Sequence, residues 1–224
     1  MGTLYWQFND AWPGISWSSI DYFGRWKPLQ FAAKRLYPDI AILFSDKHGV
    51  TVINDKFYPV EVLVVIQLIT FDGEMLINET QTVKLEANEV KYLKVNLEKA
   101  TGKEDRVVLY TEVVGGRKEV MSSTHFLKKF NQLNLTNGEL NVEYFPEYKE
   151  IILSSTKLLK NVFISNKKEY LKTSDNYMDV IPGHKVKVQI LNSTPFKDLV
   201  DSMVFRSYFQ VYNAEDLKVN VVKA

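Results

Sequence analysis

The chain has 224 residues, of which 46% are hydrophobic, and its formal net charge is +1. This length is sufficient for one large domain or two ordinary domains with apolar cores. The balanced charge, with Lys and Glu intermixed, argues against a nucleic-acid partner or an acidic membrane surface. The absence of cysteine excludes disulfides, a thiol nucleophile and a cysteine-based zinc site. No stretch approaches the twenty apolar residues of a transmembrane helix, and no signal-peptide pattern opens the chain.

The first 37 residues are predicted to form a strand, a long loop and a helix. Residues 2–8 are apolar or aromatic at almost every position, which predicts a short strand buried on both faces. Asn9 and Asp10 end this strand. Helical spacing of apolar residues then predicts an amphipathic helix over residues 27–37, with a proline in its first turn. In a parallel α/β barrel, the loop after such a strand lies on the catalytic face.

All the tryptophans of the chain lie in this segment, at Trp6, Trp12, Trp17 and Trp26. Tryptophan is large, rigid and amphipathic, so several of them in a segment broken by Gly and Pro either plug the edge of a core or line a pocket that stacks against flat ligand faces.

The segment YWQFNDAWPGISWSSIDYFGRWKPL, residues 5–29, resembles the last strand, loop and helix of the catalytic barrel in β-mannosidases of glycoside hydrolase family 2. The pattern in that family is close to YWQLNDxWPxxSWSSIDYxGRWKxLHY. This sequence departs from it at Phe8, where the family has Leu, and at Gln30, where it usually has His. Other members, such as β-galactosidases and β-glucuronidases, keep less of this string.

From residue 38 onward, short alternating runs rich in Val, Ile, Leu, Tyr and Thr replace the helical periodicity. The predicted strands of this region are 40–45, 49–54, 60–70, 75–83, 90–95, 106–113 and 119–127. Seven strands in this length, separated by turn residues, are typical of an immunoglobulin-like β-sandwich.

A second set of strands is predicted after a connector at residues 130–137. Its members are 139–144, 151–155, 160–165, 177–180, 185–192, 204–212 and 217–222. The piece SDNYMDVIPGHKVKVQI, residues 174–190, resembles the DNYFDLxPGE segment of the C-terminal immunoglobulin-like domain in the same β-mannosidases, with His184 in place of an acidic residue. The Pro-Gly pair within it is a turn signal on physical grounds alone.

The predicted fold class is therefore mainly β, with two tandem immunoglobulin-like sandwiches after a short βα remnant of a TIM barrel. The expected domains are residues 1–37, the βα unit of a (β/α)8 barrel; residues 38–129, the first sandwich; and residues 130–224, the second sandwich.

Glycosidases of family 2 resemble one another in using two glutamates to hydrolyse with retention of configuration. Residues 1–37 contain no glutamate, and the first one in the chain is Glu61. The carboxylates Asp10 and Asp21 lack the flanking residues that the family places around its catalytic acids. The resemblance thus implies that no catalytic residue lies in this chain, that the catalytic glutamates lie on earlier barrel strands, and that the chain alone is inactive.

The resemblance also suggests which residues touch sugar. It places Trp6 at the end of the last barrel strand, where an aromatic ring forms the floor of the subsite for the terminal mannose. Asn9, Asp10 and Trp12 follow on the loop, where a sugar pocket needs polar groups beside a stacking ring. Two alternatives stay open: Asp10 bonds the local loop backbone, and Trp12 packs beneath the loop.

Other residues of the segment are assigned structural roles. Trp17 and Trp26 are interpreted as anchors between the loop, the helix and the sandwich that follows. Asp21 and Arg25 are placed to form a salt bridge within the loop. The histidines, His48, His125 and His184, are isolated, which predicts neither a metal site nor a general base.

The resemblance implies a parent enzyme that removes terminal non-reducing β-D-mannose from oligosaccharides without a cofactor or a metal. Its expected partners are β-mannoside oligosaccharides and the upstream barrel of the same chain, with no nucleic acid and no membrane. The implied location of the parent is secreted, periplasmic or lysosomal.

Two alternatives remain from the sequence. One is a parent acting on another β-glycoside, such as a glucosaminide. The other is a non-catalytic tandem sandwich that binds carbohydrate or protein through exposed rings. The candidate rings for such binding are Tyr144, Phe145, Tyr148, Tyr170, Tyr177, Phe205, Tyr208, Phe209 and Tyr212. Because most of them alternate along predicted strands, core packing is the favoured interpretation of these rings.

Overall fold

The computed structural model describes residues 4–45, 49–115, 120–213 and 216–223. Its first regular element is helix α1, Pro28–Leu36, which confirms the predicted helix. Proline occupies the first turn, where its missing N–H removes no hydrogen bond, and Lys34 and Arg35 lie in the last turn, where they complement the helix dipole.

The first sandwich contains seven strands in two antiparallel sheets. They are β1 (Ile40–Ser45), β2 (Gly49–Asn54), β3 (Val60–Thr70), β4 (Met75–Leu85), β5 (Val90–Leu93), β6 (Val107–Val114) and β7 (Val120–Phe126). One sheet has the order β1-β2-β5 and the other β4-β3-β6-β7. Three strands facing four is the arrangement of an immunoglobulin-like sandwich.

The second sandwich repeats this scheme. Its strands are β8 (Glu139–Phe145), β9 (Glu150–Ser154), β10 (Leu159–Asn166), β11 (Met178–Val180), β12 (Val186–Gln189), β13 (Met203–Arg206) and β14 (Lys218–Lys223). The sheets have the orders β12-β9-β8-β14 and β11-β10-β13. Strand β14 runs parallel to β8, whereas the other strand pairs of this sandwich are antiparallel.

Each sandwich has its own apolar core, because alternate residues of its strands face inward. In β3 the buried alternation includes Val62, Val64, Ile66 and Leu68, which join the core between the two sheets of the first sandwich. The second core is built in the same way around Leu140, Val142, Ile151, Leu153 and Val162.

A third apolar cluster joins the two sandwiches. Ile69, Phe71 and Val108, from the outer side of the first sandwich, contact Leu158 and Ile181 of the second. The amide of Leu158 donates to the carbonyl oxygen of Phe71 at 2.8 Å, which fixes the two backbones together. The sandwiches are therefore packed against each other through buried apolar surface and a backbone hydrogen bond.

A largely buried ion pair lies beside this cluster. The amine of Lys160 is 3.0 Å from Oδ1 of Asp179, and the two side chains are 14% and 7% exposed. Thr124 of β7 donates its hydroxyl to Oδ2 of Asp179 at 2.8 Å, and the ring of Phe126 lies 4.6 Å from the Lys160 amine. One carboxylate thus links both sandwiches.

Two sequence predictions about regular structure are wrong. Within residues 4–8 the structure has no strand, and Leu4, Trp6 and Phe8 are exposed rather than buried; the remaining predicted strand residues, 2 and 3, lie outside the described part of the chain. A strand buried on both faces needs neighbouring strands and covering helices, and the described residues provide neither here.

The second error concerns residues 204–212. Strand β13 ends at Arg206, and helix α3, Tyr208–Asn213, follows. The helix turns Gln210 into the interior, where its amide donates to Oδ1 of Asn137 at 2.7 Å. A short helix α2, Phe196–Val200, was not predicted. Glu119, at the start of one predicted strand, is outside the described residues.

Candidate functional site

The loop between residues 7 and 27 is closed by backbone hydrogen bonds. The amide of Ile20 donates to the carbonyl oxygen of Phe8 at 3.0 Å, and the amide of Asp10 donates to that of Ile20 at 3.1 Å. The hydroxyl of Ser19 also donates to Phe8, at 2.8 Å. The two ends of the loop therefore lie side by side although no regular strand forms.

Asp10 organises the polar interior of this loop. Its Oδ1 accepts a hydrogen bond from the hydroxyl of Ser16, and its Oδ2 lies 3.0 Å from the amine of Lys27. Lys27 also donates to the hydroxyl oxygen of Ser18 at 2.8 Å. The hydrogen bond from Ser16, followed by that from Lys27, holds the pKa of Asp10 below its ordinary range. The open alternative in which Asp10 stabilises the loop therefore has direct support, although its partners are side chains rather than the backbone.

Asp21 and Arg25 form the predicted salt bridge, with 2.6 Å between Oδ2 and Nε. The amides of Phe23 and Arg25 both donate to Oδ1 of Asp21 at 2.9 Å. Burial acts to raise the pKa of Asp21, but the hydrogen bonds and charge of Arg25 outweigh it and keep that pKa low. A general acid requires a raised pKa, so neither Asp10 nor Asp21 has the environment of one.

Large apolar side chains cover the outside of the loop. We define the aromatic loop surface as Trp6, Phe8, Trp12, Trp17 and Phe23, whose exposed fractions are 79%, 58%, 73%, 71% and 65%. Several large apolar side chains exposed on one loop favour an interaction site. Among the candidate sugar-binding residues, Trp6 and Trp12 belong to this surface, and Asn9 is exposed next to it, with its amide 3.3 Å from the carbonyl oxygen of Asp10. The alternative that places Trp12 beneath the loop does not fit its exposure.

The interpretation of Trp17 as an anchor is wrong, because its ring is largely exposed. Trp26 is an anchor, but on the second sandwich. Its amide donates to the hydroxyl oxygen of Tyr170 at 2.9 Å, and its ring contacts Phe31 of α1 with 5.2 Å between centroids. Phe31 in turn contacts Tyr177 of the second sandwich at 5.9 Å. This row of rings attaches the loop and helix to the second sandwich.

Charged groups strengthen the same attachment. Arg35 of α1 forms an ion pair with Asp175 and donates to the carbonyl oxygen of Asn176 at 3.0 Å. Lys34 donates to the carbonyl oxygen of Ser174 at 2.6 Å. The two stretches that resemble β-mannosidases in sequence, residues 5–29 and 174–190, are therefore brought together through α1.

Sequence reasoning missed Tyr170 and Asp175 as partners of the N-terminal segment. The stretch 174–190 was recognised only as strand, turn and strand, and its turn is present, with Gly183 at φ +81° and the amide of His184 donating to the carbonyl oxygen of Ile181 at 3.1 Å. Asp175, near the start of this stretch, was the available signal for a basic partner.

Within the part of the chain that the structure describes, no three His, Asp or Glu side chains form a group able to hold a metal ion. His125 contacts the ring of Phe44 at 4.5 Å, and His184 contacts that of Tyr110 at 4.2 Å; His48 lies outside the described residues. In the same described ranges no helix is long and apolar enough to cross a membrane.

Comparison with known proteins agrees with this architecture. Residues 46–131 match the family model of the Mannosidase Ig/CBM-like domain. β-Mannosidase B of Aspergillus fumigatus is 26% identical over 217 residues, which cover 87% of this chain and 26% of that protein. The β-mannosidase of Capra hircus is 50% identical over 48 residues, covering 21% of this chain and 6% of that protein. The chain thus spans about a quarter of the length of the first of these relatives.

Solved structures share the fold. The β-D-mannosidase of Dictyoglomus thermophilum superposes with a TM-score of 0.77 at 24% identity, over 97% of this chain and 26% of that one. The exo-chitosanase of Amycolatopsis orientalis superposes with a TM-score of 0.66 at 14% identity, over 91% of this chain and 29% of that one.

The chain is therefore a pair of immunoglobulin-like β-sandwiches that carries an aromatic loop and helix on the second sandwich. Residues 46–131 match the model of the Mannosidase Ig/CBM-like domain, and over most of its length the chain is similar to the C-terminal region of β-mannosidases.

Proposed function

We propose that this chain acts as the C-terminal part of a β-mannosidase, a retaining glycosidase that removes terminal non-reducing β-D-mannose from oligosaccharides. The observation that carries the proposal is the aromatic loop surface, which stays exposed around an ordered, hydrogen-bonded loop. The similarity to β-mannosidases over most of the chain supports the choice of reaction.

In this proposal the aromatic loop surface meets a catalytic barrel. Three of its rings are indoles that are more than two thirds exposed, whereas the second sandwich holds the base of the same segment through Trp26 and Arg35. Such a segment, fixed at one side and apolar at the other, is suited to join a second folded unit. The partner is a (β/α)8 barrel of the same enzyme.

The sugar-binding roles follow from position on the loop. Trp6 offers an indole face for stacking on the apolar face of a terminal mannose, and Asn9 and Trp12 are also exposed on the loop that follows it. Asp10 is a positioning residue, because Ser16 and Lys27 occupy its two carboxylate oxygens. It holds the loop in the shape that presents Asn9 and Trp12.

The chain supplies no catalytic pair in this proposal. Retaining glycosidases place a general acid and a nucleophile about 5 Å apart, and the carboxylates of the loop, Asp10 and Asp21, are each bound to a basic side chain that favours the ionised form. The chain by itself is therefore expected to be inactive, and the two catalytic glutamates are expected in the barrel.

The test is hydrolysis of p-nitrophenyl β-D-mannoside by this chain and by a longer polypeptide extended upstream through a complete barrel. Turnover by the longer polypeptide alone supports the proposal. Turnover by the short chain would show that its own carboxylates are catalytic and would overturn the assignment. Parallel assays with p-nitrophenyl β-D-glucosaminide distinguish a glucosaminidase from a mannosidase.

The role of Trp6 is tested in the active polypeptide by Trp6→Ala. Loss of a stacking ring under the reacting sugar should reduce kcat/KM by roughly a hundredfold, equivalent to about 2.7 kcal/mol. Phe57→Ala is the matched control, because Phe57 is 91% exposed and belongs to the first sandwich. Equal activity of the Trp6 and Phe57 variants would exclude Trp6 from the sugar subsite.

A further inference from the structure

A second group of aromatic side chains forms a shallow groove far along the chain from the aromatic loop surface. It lies between the short 3-10 helix Phe130–Gln132, which follows the first sandwich, and helix α3 of the second sandwich. Its volume is about 270 Å³, which is just below the range of about 300–1,000 Å³ for small-ligand sites.

Three aromatic rings line the groove, and the middle one, Tyr208, contacts the other two. Tyr208 and Tyr212, four residues apart on one face of α3, are stacked with 5.8 Å between centroids and 18° between planes. The ring of Phe130 meets that of Tyr208 edge to face at 4.2 Å. Tyr212 is 75% exposed and Phe130 is 37% exposed, so ring surface remains accessible to a ligand.

The two sides of the groove are held together by a hydrogen bond from the buried side chain of Gln210. Gln210 of α3 is 1% exposed. Its side-chain amide donates to Oδ1 of Asn137 at 2.7 Å, and its Oε1 accepts a hydrogen bond from the hydroxyl of Ser207. Because Asn137 belongs to the same connector as Phe130, this network ties the connector to the helix. The floor of the groove, Leu133 and Leu135, packs against the apolar cluster between the sandwiches. The rings are therefore pre-organised, which lowers the entropic cost of binding.

The rim of the groove is polar but uncharged. Asn131 and Asn213 line it, and no charged side chain is among its lining residues. Asn213 donates to the carbonyl oxygen of Phe209 at 3.0 Å, which leaves its own Oδ1 as an acceptor. For Asn131 the described residues provide no side-chain hydrogen-bond partner. The nearby amine of Lys160, 5.6 Å from the Phe130 ring, is already paired with Asp179.

From this chemistry we propose that the groove is an accessory binding site for a neutral pyranose sugar, which stacks on Tyr212 and Tyr208 and exchanges hydrogen bonds with Asn131 and Asn213. Neutral amides suit hydroxyl groups, which both donate and accept, and exposed aromatic rings suit the C–H face of a pyranose. An anionic ligand would find no cation among the lining residues, and an apolar ligand would offer no hydrogen bond to the Asn131 side chain or to Oδ1 of Asn213.

The experiment is saturation-transfer difference NMR of this chain with methyl β-D-mannoside and methyl β-D-glucoside as probes. The use of a mannoside rests on the proposed function, whereas the groove itself does not. Binding is expected to be lost or weakened at least about tenfold in Tyr212→Ala, equivalent to about 1.4 kcal/mol. It should be retained in Tyr212→Phe, which keeps the ring, and in Tyr148→Ala, the matched control, whose ring is 68% exposed in a different part of the second sandwich.

Trp6→Ala separates the groove from the aromatic loop surface. Binding that survives Trp6→Ala and fails in Tyr212→Ala assigns the sugar to the groove. Binding that shows the opposite pattern overturns the groove while leaving the proposed enzyme function intact. Absence of binding for both sugars also overturns the proposed sugar site. Self-association of the chain that Tyr212→Ala abolishes would overturn it as well, because the groove would then bind a second copy of the chain. An unchanged thermal unfolding midpoint in Tyr212→Ala verifies that the variant is folded.

Discussion

Arg35 and Asp175 form an ion pair across 140 residues of sequence. One lies in the last turn of α1 and the other in the second sandwich, so this contact bypasses the first sandwich, which lies between them in the chain. The N-terminal loop and helix thus belong spatially with the second sandwich. The orientation of the aromatic loop surface depends on this attachment.

Replacing Arg35 by Ala should weaken the attachment. The variant loses the ion pair and the hydrogen bond to the carbonyl oxygen of Asn176, and we expect the free energy of unfolding to fall by about 1–2 kcal/mol, since both groups are partly exposed. Urea unfolding followed by tryptophan fluorescence measures the change, with Trp26 as the reporter at the contact. Arg206→Ala, at an exposed position of β13, is the control; equal losses in the two variants would contradict the prediction.

Replacing Asp179 by Ala should have a larger effect. The change leaves the largely buried amine of Lys160 without its counter-ion and removes the acceptor of the Thr124 hydroxyl, so the free energy of unfolding should fall by about 2–4 kcal/mol, towards the value for breaking a buried pair. The double variant Lys160→Met with Asp179→Ala should recover part of this loss, because no unpaired charge then remains. Chemical unfolding of the two single variants and the double variant measures the coupling. A double variant that is no more stable than Asp179→Ala alone would contradict this explanation.

His184 should make the junction between the sandwiches sensitive to acid. Its Nε2 is 2.8 Å from Oε1 of Gln67, and its ring packs on Tyr110. Burial lowers the pKa of His184, against a smaller opposing effect of the Glu112 carboxylate. The unfolded chain then binds this proton more readily than the folded chain does, so stability is complete above the ordinary histidine pKa of about 6.5 and declines as the pH falls through the lower folded value.

Between pH 7 and pH 5 the free energy of unfolding of the wild type should therefore fall. The fall should be smaller in His184→Gln, which lacks the titrating imidazole. Urea unfolding at a series of pH values measures this difference. His125→Gln, at the other described histidine, is the control and should keep the decline attributed to His184. Identical pH profiles for the wild type and His184→Gln would show that another group is responsible.

Asp10→Asn should loosen the aromatic loop. The substitution removes the charge that binds Lys27, so the near-ultraviolet circular dichroism of the tryptophans should weaken at neutral pH. In the wild type the contacts with Ser16 and Lys27 lower the pKa of Asp10. The circular dichroism signal of the tryptophans should therefore persist at pH values near the ordinary aspartate pKa of about 3.9. It should fade only as the pH drops through the lower pKa that Asp10 has in the folded chain. Asp72→Asn, which alters a carboxylate paired with Lys157 at 3.3 Å on the protein surface, should leave the signal unchanged.

Much of the β structure could be predicted from local patterns. Strands such as β1, β2 and β3 begin and end where the alternation of apolar residues and the turn residues place them, because alternation with period two is imposed by the strand itself. Helix α1 could also be predicted from the sequence, since the proline at its start and the spacing of its apolar residues are local signals.

Local patterns failed where the same pattern fits two structures. The rings at 204–212 alternate well enough for a strand, yet Tyr208 and Tyr212 are also one helical turn apart. The hydrogen bond of the buried Gln210 side chain to Asn137 is consistent with the helix. That partner, Asn137, lies 73 residues earlier in the chain. As a result, two rings expected in the core are partly or largely exposed.

The sequence by itself determined the two-sandwich architecture, the helix α1, the Asp21–Arg25 pair and the resemblance that points to sugar chemistry. Each of these depends on spacings that a short stretch of chain contains. Only the tertiary structure decided that the aromatic loop rests on the second sandwich, that Trp17 faces outward while Trp26 anchors, and that Tyr208, Tyr212 and Phe130 share one groove. These features depend on contacts between residues far apart in sequence. Such contacts are decided by how whole sheets pack, because the burial of one face of a sheet or helix determines which of its other faces remain exposed to solvent.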